Sequence, residues 1–352
     1  MNRTSISARV LAGIVLGLCV LAGRPAAQPA VTVVMSGLDN PRGLAFGPEG
    51  ALYVVETGRG GSGPCMELRG LQRCYGATGA LTRLWRGTQE RVATGLPSYA
   101  DLAGTEVTGA HDVSFHGRGG AYVTIGFGGD PALRSGFGAV GALFGTLVHV
   151  AASGHWKVVD DVSAYESAAN PDGNLVDSNP YGVLAEPGAR IVTDAGANAL
   201  LRVKANGDIS TLAVFPARPL RSTDAVPTAV VVGPDGAYYV SELSGVPFTA
   251  GAARVYRVVP GDAPSVFLEG FKTLIDLDFG PDGSLYVLEH ATGPVFFGGP
   301  GQVIRIAPNG TRSVVIGGLT RPTSLIVDSD GAIYVSNRGV SIGTGEVLKI
   351  EP

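Results

Sequence analysis

Apolar residues along this chain gather in short runs of about five, rich in Val, Ile, Leu and Tyr and closed off by Gly, Pro and Asp. This is the pattern of short strands joined by tight turns. Six stretches are versions of one another: GLAFGPEGALYVVE, DVSFHGRGGAYVTI, YGVLAEPGARIVTD, AVVVGPDGAYYVSE, IDLDFGPDGSLYVLE and SLIVDSDGAIYVSN. Their turn glycines, Gly50, Gly119, Gly188, Gly236, Gly283 and Gly331, are separated by 69, 69, 48, 47 and 48 residues. A unit of about 48 residues therefore repeats, and the first two copies carry insertions of about 21.

Within the fifth unit, LIDLDF, SLYVLE, QVIRIA and RSVVIG read as four strands. Pro-Asp-Gly between the first pair and Ala-Pro-Asn-Gly between the last pair supply tight-turn chemistry. Four antiparallel strands per repeat is the pattern of a β-propeller blade, whose apolar faces are buried only against neighbouring blades, so the ring must close. The sixth unit stops after three strands, SLIVDS, AIYVSN and GEVLKI, and the missing one lies at the other end of the chain. There AVTVVMSGL, residues 30–38, matches the fourth-strand segments QERVATGL and TRSVVIGGL. A β-sandwich does not predict that complementarity. The expected fold is all-β, a single six-bladed β-propeller over residues 31–352 with four-stranded antiparallel blades. The N-terminal strand closes the last blade and leaves no open edge.

Composition agrees and adds an address. Of 352 residues 45% are hydrophobic and 16% charged, enough for a large core, and 53 Gly with 23 Pro favour many turns over long helices. Residues 1–30 differ in kind: Arg3 and Arg9, the apolar run VLAGIVLGLCVLAG, then RPAAQPA. This reads as a signal peptide, cleaved between Gly23 and Ala30. The run is shorter than a membrane span and no later stretch reaches that length, while Leu18 before Cys19 argues against a lipoprotein signal. The expected location is the periplasm or the exterior of a bacterial cell. Cleavage after Ala27 removes three arginines and no acids, moving the net charge from −4 to −7. A mildly acidic chain without basic clusters is not built for nucleic acid. Cys65 and Cys74 remain, nine positions apart in an oxidising compartment and placed to close a small disulfide loop. Two free thiols are the alternative, and zinc lacks its other ligands.

The stretches GLDNPRGLAFGPEGALYVVETG, NPDGNLVDSNPYGVL, DAGANALLRVKANGDISTLAVFP and VPTAVVVGPDGAYYVSELSGVPF resemble the ScyD/ScyE family of exported bacterial propellers, named from proteins of scytonemin pigment clusters. DSNPYGVL and DAGANALLRV carry most of that likeness, which runs from about Val31 to the end of the chain; GPDGxLYV is shared with NHL-type propellers at large. The resemblance implies an exported six-bladed propeller and brings no catalytic residue with it.

In a four-stranded meander the loops between strands 2 and 3, and the connections between blades, emerge on one side of the ring. Here those are the long ones: residues 57–79, 126–145, 243–251 and 290–299 within blades, and 97–110, 166–180 and 217–226 between them. Long loops on one face mark it as the working side. Six positions past each turn glycine, at the end of strand 2 on that side, stand Glu56, Ile125, Asp194, Glu242, Glu289 and Asn337. Near the start of strand 1 stand Arg42, His111 with Asp112, Tyr181 and Asp276, and Asn198, His290 and Arg338 complete the candidate ligand-binding set. Two readings of the acids stay open. Each accepts hydrogen bonds from amides of the adjoining blade and ties the ring together, or some of the set holds a cation or ligand. Four carboxylates around one mouth would repel by roughly 2 kcal/mol per pair at about 8 Å, unless arginines, raised pKa values or a cation offset this.

Asp172, Asn174 and Asp177 in DGNLVD have the oxygen spacing of a calcium loop without its closing Glu; an Asx-turn loop is the alternative. Lactonase-type propellers hold a metal near the starts of first strands, where this chain has Arg42, His111, Pro180, Thr228, Ile275 and Thr323, of which only His111 ligates metals. Quinoprotein sugar dehydrogenases place a histidine near His111 with a different spacing to the turn. The expectation is therefore a monomeric propeller that binds a small molecule, carbohydrate or protein through its long-loop face. A divalent cation such as calcium is the cofactor candidate, and no catalytic residue is assigned. A propeller enzyme, PQQ-dependent dehydrogenase or metal-dependent lactonase, is the alternative, with PQQ disfavoured.

Overall fold

The computed structural model describes residue 1 and residues 29–104, 106–217, 224–294 and 296–351, so the leader expected over residues 1–30 lies almost wholly outside it. The chain forms six antiparallel sheets, each built around four strands, arranged as the blades of a propeller. Blade 1 comprises Pro41–Phe46, Leu52–Glu56, Leu71–Trp85 and Thr88–Asp101. Blade 2 comprises Ala110–Phe115, Ala121–Ile125, Thr146–Val150 and Trp156–Asp161. Blades 3, 4 and 5 start with Pro180–Glu186, Pro227–Val232 and Leu274–Phe279 and follow the same order.

Blade 6 confirms the closure. Ala30–Leu38 pairs with Gly345–Glu351 in antiparallel register, Val31 opposite Ile350 and Leu38 opposite Gly345, and completes the sheet begun by Ser324–Val327 and Ile333–Asn337. Both ends of the chain are thereby held in one sheet, which satisfies backbone groups that an open ring would leave bare. The core lies between blades. Second strands are buried on both faces, as Leu52–Glu56, Tyr238–Glu242 and Leu285–Glu289 show along their whole length, which explains their near-continuous apolar runs. Fourth strands such as Arg312–Leu319 are largely exposed and read as polar.

Residues 57–79, expected to be a long loop, are in large part strand. Cys65–Leu68 folds back on Leu71–Trp85 as a hairpin in which Cys65 lies directly opposite Cys74, and the two form a disulfide. The first blade's third and fourth strands run to 15 and 14 residues and project beyond the ring as a ribbon carrying this hairpin. The other large insertions bear helices: a 3₁₀ segment at Pro131–Leu143 and an α-helix at Val162–Ala169, capped by Asp161, whose carboxylate accepts the Ala164 N–H. No described helix is long and apolar enough to cross a membrane.

Candidate functional site

The polar ring at the ends of the second strands exists, but it does not face one mouth. Glu56, Asp194, Glu242, Glu289 and Asn337 are all buried. Glu56 accepts the Asp39 N–H at 2.7 Å, Asp194 the Asn179 N–H at 2.6 Å, Glu289 the Lys272 N–H at 2.6 Å and Asn337 the Thr320 N–H at 2.8 Å. Each donor belongs to the connector that leads into the same blade, so the side chain caps a turn whose backbone would otherwise be bare. Their partners are local as well. Burial raises the Glu56 pKa, but Arg91, Thr82 and the Asp39 amide outweigh it and leave the group below the usual carboxylate range. Asp194 is pushed up to about 6 by burial, against hydrogen bonds from Asn179, Ser178 and Ala197. Neither is perturbed chiefly by another ring acid, so the expected mutual repulsion is absent at these two positions. At the sixth position Asn337 Nδ2 donates to Glu346, which also pairs with Arg338 at 3.3 Å.

Stitching between blades is done by other residues. The carbonyl of a residue at or just before the start of strand 1 accepts a hydrogen bond from the preceding blade at five junctions. The donors are Thr57 to Ala110 at 2.8 Å, His111 to Pro180 at 3.1 Å, Thr228 to Leu274 at 3.2 Å, His290 to Pro322 at 2.8 Å and Thr323 to Pro41 at 2.7 Å. A carbonyl only accepts, so both histidines carry their proton on Nδ1 and leave Nε2 as an acceptor. Burial, aided by the Arg42 charge, lowers His111 to about 3 and His290 to about 4, so both rings are neutral. Closer to the axis, Asp112 accepts the Val183 N–H at 2.8 Å and Asp276 accepts the Leu325 N–H at 2.9 Å and the Ser324 hydroxyl at 2.6 Å. Burial raises both carboxyls, Asp276 to about 7, and Asp276 raises Asp112 further.

These residues line the central channel where His111 and Tyr181 pack with ring centroids 4.6 Å apart. Arg42, whose guanidinium donates to the Gly339 carbonyl, perturbs both histidines and Tyr181. The free space among His111, Asp112, Tyr181 and Asp276 is only about 10 Å³. The channel is filled by its own side chains at this level.

The room lies to one side, on the long-loop face over blades 3, 4 and 5. A cleft of about 620 Å³ is walled by the 172–179 connector, the 195–198 and 243–248 loops, Phe297 and Arg69 from the disulfide hairpin. Phe248 and Phe297 stack at 4.2 Å, and Phe297 is steadied by His290 at 5.2 Å. The loop bearing it is pinned by Lys272, a buried ammonium that donates to the carbonyls of Gly293 and Phe296. Opposite this apolar wall stand polar groups: Asp172, Asn174, Asp177, Asn179, Asn198 and Asp224. Asn198 donates to Asp172 at 2.8 Å and accepts the Val226 N–H at 3.0 Å, while Arg69 pairs with Asp177 at 2.9 Å. Burial raises the Asp177 pKa, Arg69 lowers it, and Asp224 and Asp130 raise it. Below, Glu166 in the helix is pushed up to about 7 by burial and by Asp194, Asp172 and Asp177. Among the described residues Arg69 is the one arginine that lines the cleft beside these carboxylates.

The structure thus divides the expected set. Asp172, Asn174, Asp177 and Asn198 join the cleft, His290 supports it, His111, Asp112, Tyr181 and Asp276 line the channel, and Arg42 acts on His111 and Tyr181 through its charge. Asp172 accepts from Asn174 and Asn198, and no group of three or more His, Cys, Asp or Glu among the described residues is arranged to hold a metal ion. Sequence reading missed Arg69, Asp224, Phe248 and Phe297. Their only signal was membership of long loops on one face.

No protein-family model matches the chain, and no curated protein matches it in sequence. Its fold is similar to solved structures. A streptogramin B lyase superposes with a TM-score of 0.52 at 11% identity, covering 92% of this chain and 97% of the other. An oxidoreductase of Thermus thermophilus described as a glucose dehydrogenase gives 0.54 at 19%, covering 92% and 99%. The PQQ-bound aldose sugar dehydrogenase of Streptomyces coelicolor gives 0.51 at 14%, covering 93% and 99%. At these identities the likeness is one of fold.

Proposed function

We propose that this protein is an exported propeller that binds a small hydroxyl-rich molecule of sugar size, neutral or bearing an amine, in the cleft over blades 3 to 5. The observation that carries this reading is the pairing of an aromatic wall, Phe248 and Phe297, with amides and carboxylates on the facing side in about 620 Å³. Ring faces cover the apolar side of a sugar, and Asn and Asp side chains take its hydroxyls, while Asp172, Asp177 and Asp224 offer partners to an amine. The disulfide and the likeness of several segments to exported ScyD/ScyE propellers support export.

An enzyme at the channel is the second reading, and the two neutral histidines beside Tyr181 and Arg42 favour it. PQQ does not fit there, because the space is about 10 Å³, and a tricarboxylate is repelled by the acidic cleft. Thermal-shift and calorimetric titrations with glucose, maltose and glucosamine, alongside Ca²⁺ and PQQ, separate the readings. A saccharide is expected to stabilise the wild type and to lose about tenfold in affinity in Phe297→Ala and in Asp177→Asn. Absence of any saccharide shift, or a shift untouched by both substitutions, overturns the cleft reading; binding of PQQ or Ca²⁺ alone supports the second.

A further inference from the structure

The short-hairpin side of the ring carries its own repeating motif. The residue before the turn glycine is acidic in blades 1, 4, 5 and 6, and in blades 1, 4 and 5 it meets a strand-2 tyrosine and a strand-3 arginine. Glu49 accepts from Tyr53 at 2.5 Å and lies 3.5 Å from Arg83. Asp235 lies 2.6 Å from Arg257 and accepts from Tyr239 at 3.4 Å, and Asp282 lies 2.7 Å from Arg305 opposite Tyr286 in the ladder. In each case the acid neutralises the arginine.

Blade 2 breaks the rule. The residue before its turn glycine is Arg118, and opposite Tyr122 on strand 3 stands His149. His149 is bonded to the Gly119 carbonyl, Tyr122 packs under Arg190, and no acid replaces the missing one. Arg118 is exposed and has no carboxylate partner among the described residues. At the tip of the next hairpin of blade 1, Arg86 lies 5.2 Å over the Trp85 ring, also without a carboxylate partner among them. Arg118 lines a groove of about 410 Å³ between blades 1 and 2, walled by Tyr53, Trp85 and Phe115, and Arg86 lies outside that lining. Tyr53 and Phe115 stand 4.7 Å apart, and Glu49 at the edge is already engaged by Arg83 and Tyr53.

We propose that this groove is a second binding site, separate from the cleft, for a flat aromatic molecule bearing one carboxylate. The ring system lies against the aromatic walls and the carboxylate meets Arg118. The aromatic lining alone takes any flat apolar molecule; the uncompensated Arg118 selects the anion, because a guanidinium without a carboxylate partner gains a charge-assisted pair on binding.

The test uses 2-naphthoate and its neutral isostere 2-naphthamide, titrated calorimetrically into the mature protein. Naphthoate is expected to bind about tenfold more tightly than naphthamide. Arg118→Asp installs the residue that blades 4 and 5 already carry, so the fold is retained, and it is expected to abolish the preference while leaving naphthamide affinity within about twofold. Trp85→Leu is expected to weaken both. Equal affinity for the two probes, a preference that survives Arg118→Asp, or no binding of either overturns the proposal.

Discussion

Glu56 has no solvent exposure, yet its carboxylate receives the Asp39 amide, the Thr82 hydroxyl and two donors from Arg91. Arg91 is itself 43% exposed, so solvent screens part of that pairing. Glu56→Gln keeps the shape and removes the charge, and is expected to cost about 2 kcal/mol in urea unfolding. A change below about 0.5 kcal/mol contradicts the capping role. For His290 the prediction concerns pH. The unfolded imidazole titrates near 6.5 and the folded one at about 4, so the unfolded chain binds more protons between these values. The stability tied to a neutral His290 is therefore complete above about pH 6.5 and is lost as pH falls through about 4. His290→Gln is expected to flatten the acid limb of stability against pH by up to about 1.4 kcal/mol per pH unit. Raised carboxyls such as Asp194 and Asp276 slope the other way, so the difference curve between variant and wild type isolates the imidazole. Parallel curves would contradict the neutral assignment. The sequence marked Glu56 by its place after a turn glycine and His290 by its place at the start of a long loop; their partners, a connector amide and a proline carbonyl, are set by chain paths that no local pattern encodes.

Among the elements, the strand Ala30–Leu38 is the most exposed of its sheet and still the one that closes the ring. Without it Gly345–Glu351 presents an unpaired edge, and Met35 and Leu38 leave the core they share with Leu44 and Val347. Deleting residues 30–38 from the mature chain is expected to abolish cooperative thermal unfolding or to produce strand-exchanged dimers, read by calorimetry and light scattering. A monomer melting like the parent would show that closure contributes little. Strands of this kind were legible because a repeat that ends one strand short demands a partner. The ribbon Leu71–Trp85 with Thr88–Asp101 was not, since its glycines and cysteines resemble a loop until Cys65 is seen opposite Cys74. The helix Val162–Ala169 was hidden for a similar reason, being a short segment inside an insertion between repeats.

For the whole molecule, repetition fixes a ring and the departures from repetition shape its cavities. Insertions on one face build a lopsided cleft above blades 3 to 5, and a single reversal of charge on the other face leaves the groove between blades 1 and 2 cationic. The central channel, where six equivalent positions converge, is occupied by its own hydrogen-bonded side chains. From the sequence alone came the blade count, the antiparallel order, the closing strand and the disulfide pair. Each of these follows from short-range periodicity or from what a repeat must leave unpaired. The tertiary structure alone decided that the acid ring caps connectors instead of facing a common mouth, that His111 and His290 bind carbonyls of the next blade, and that Arg69, Asp224, Phe248 and Phe297 meet in one cleft. Those outcomes depend on side chains brought together from four different blades, and their distances are set by how the ring closes, which no single repeat contains.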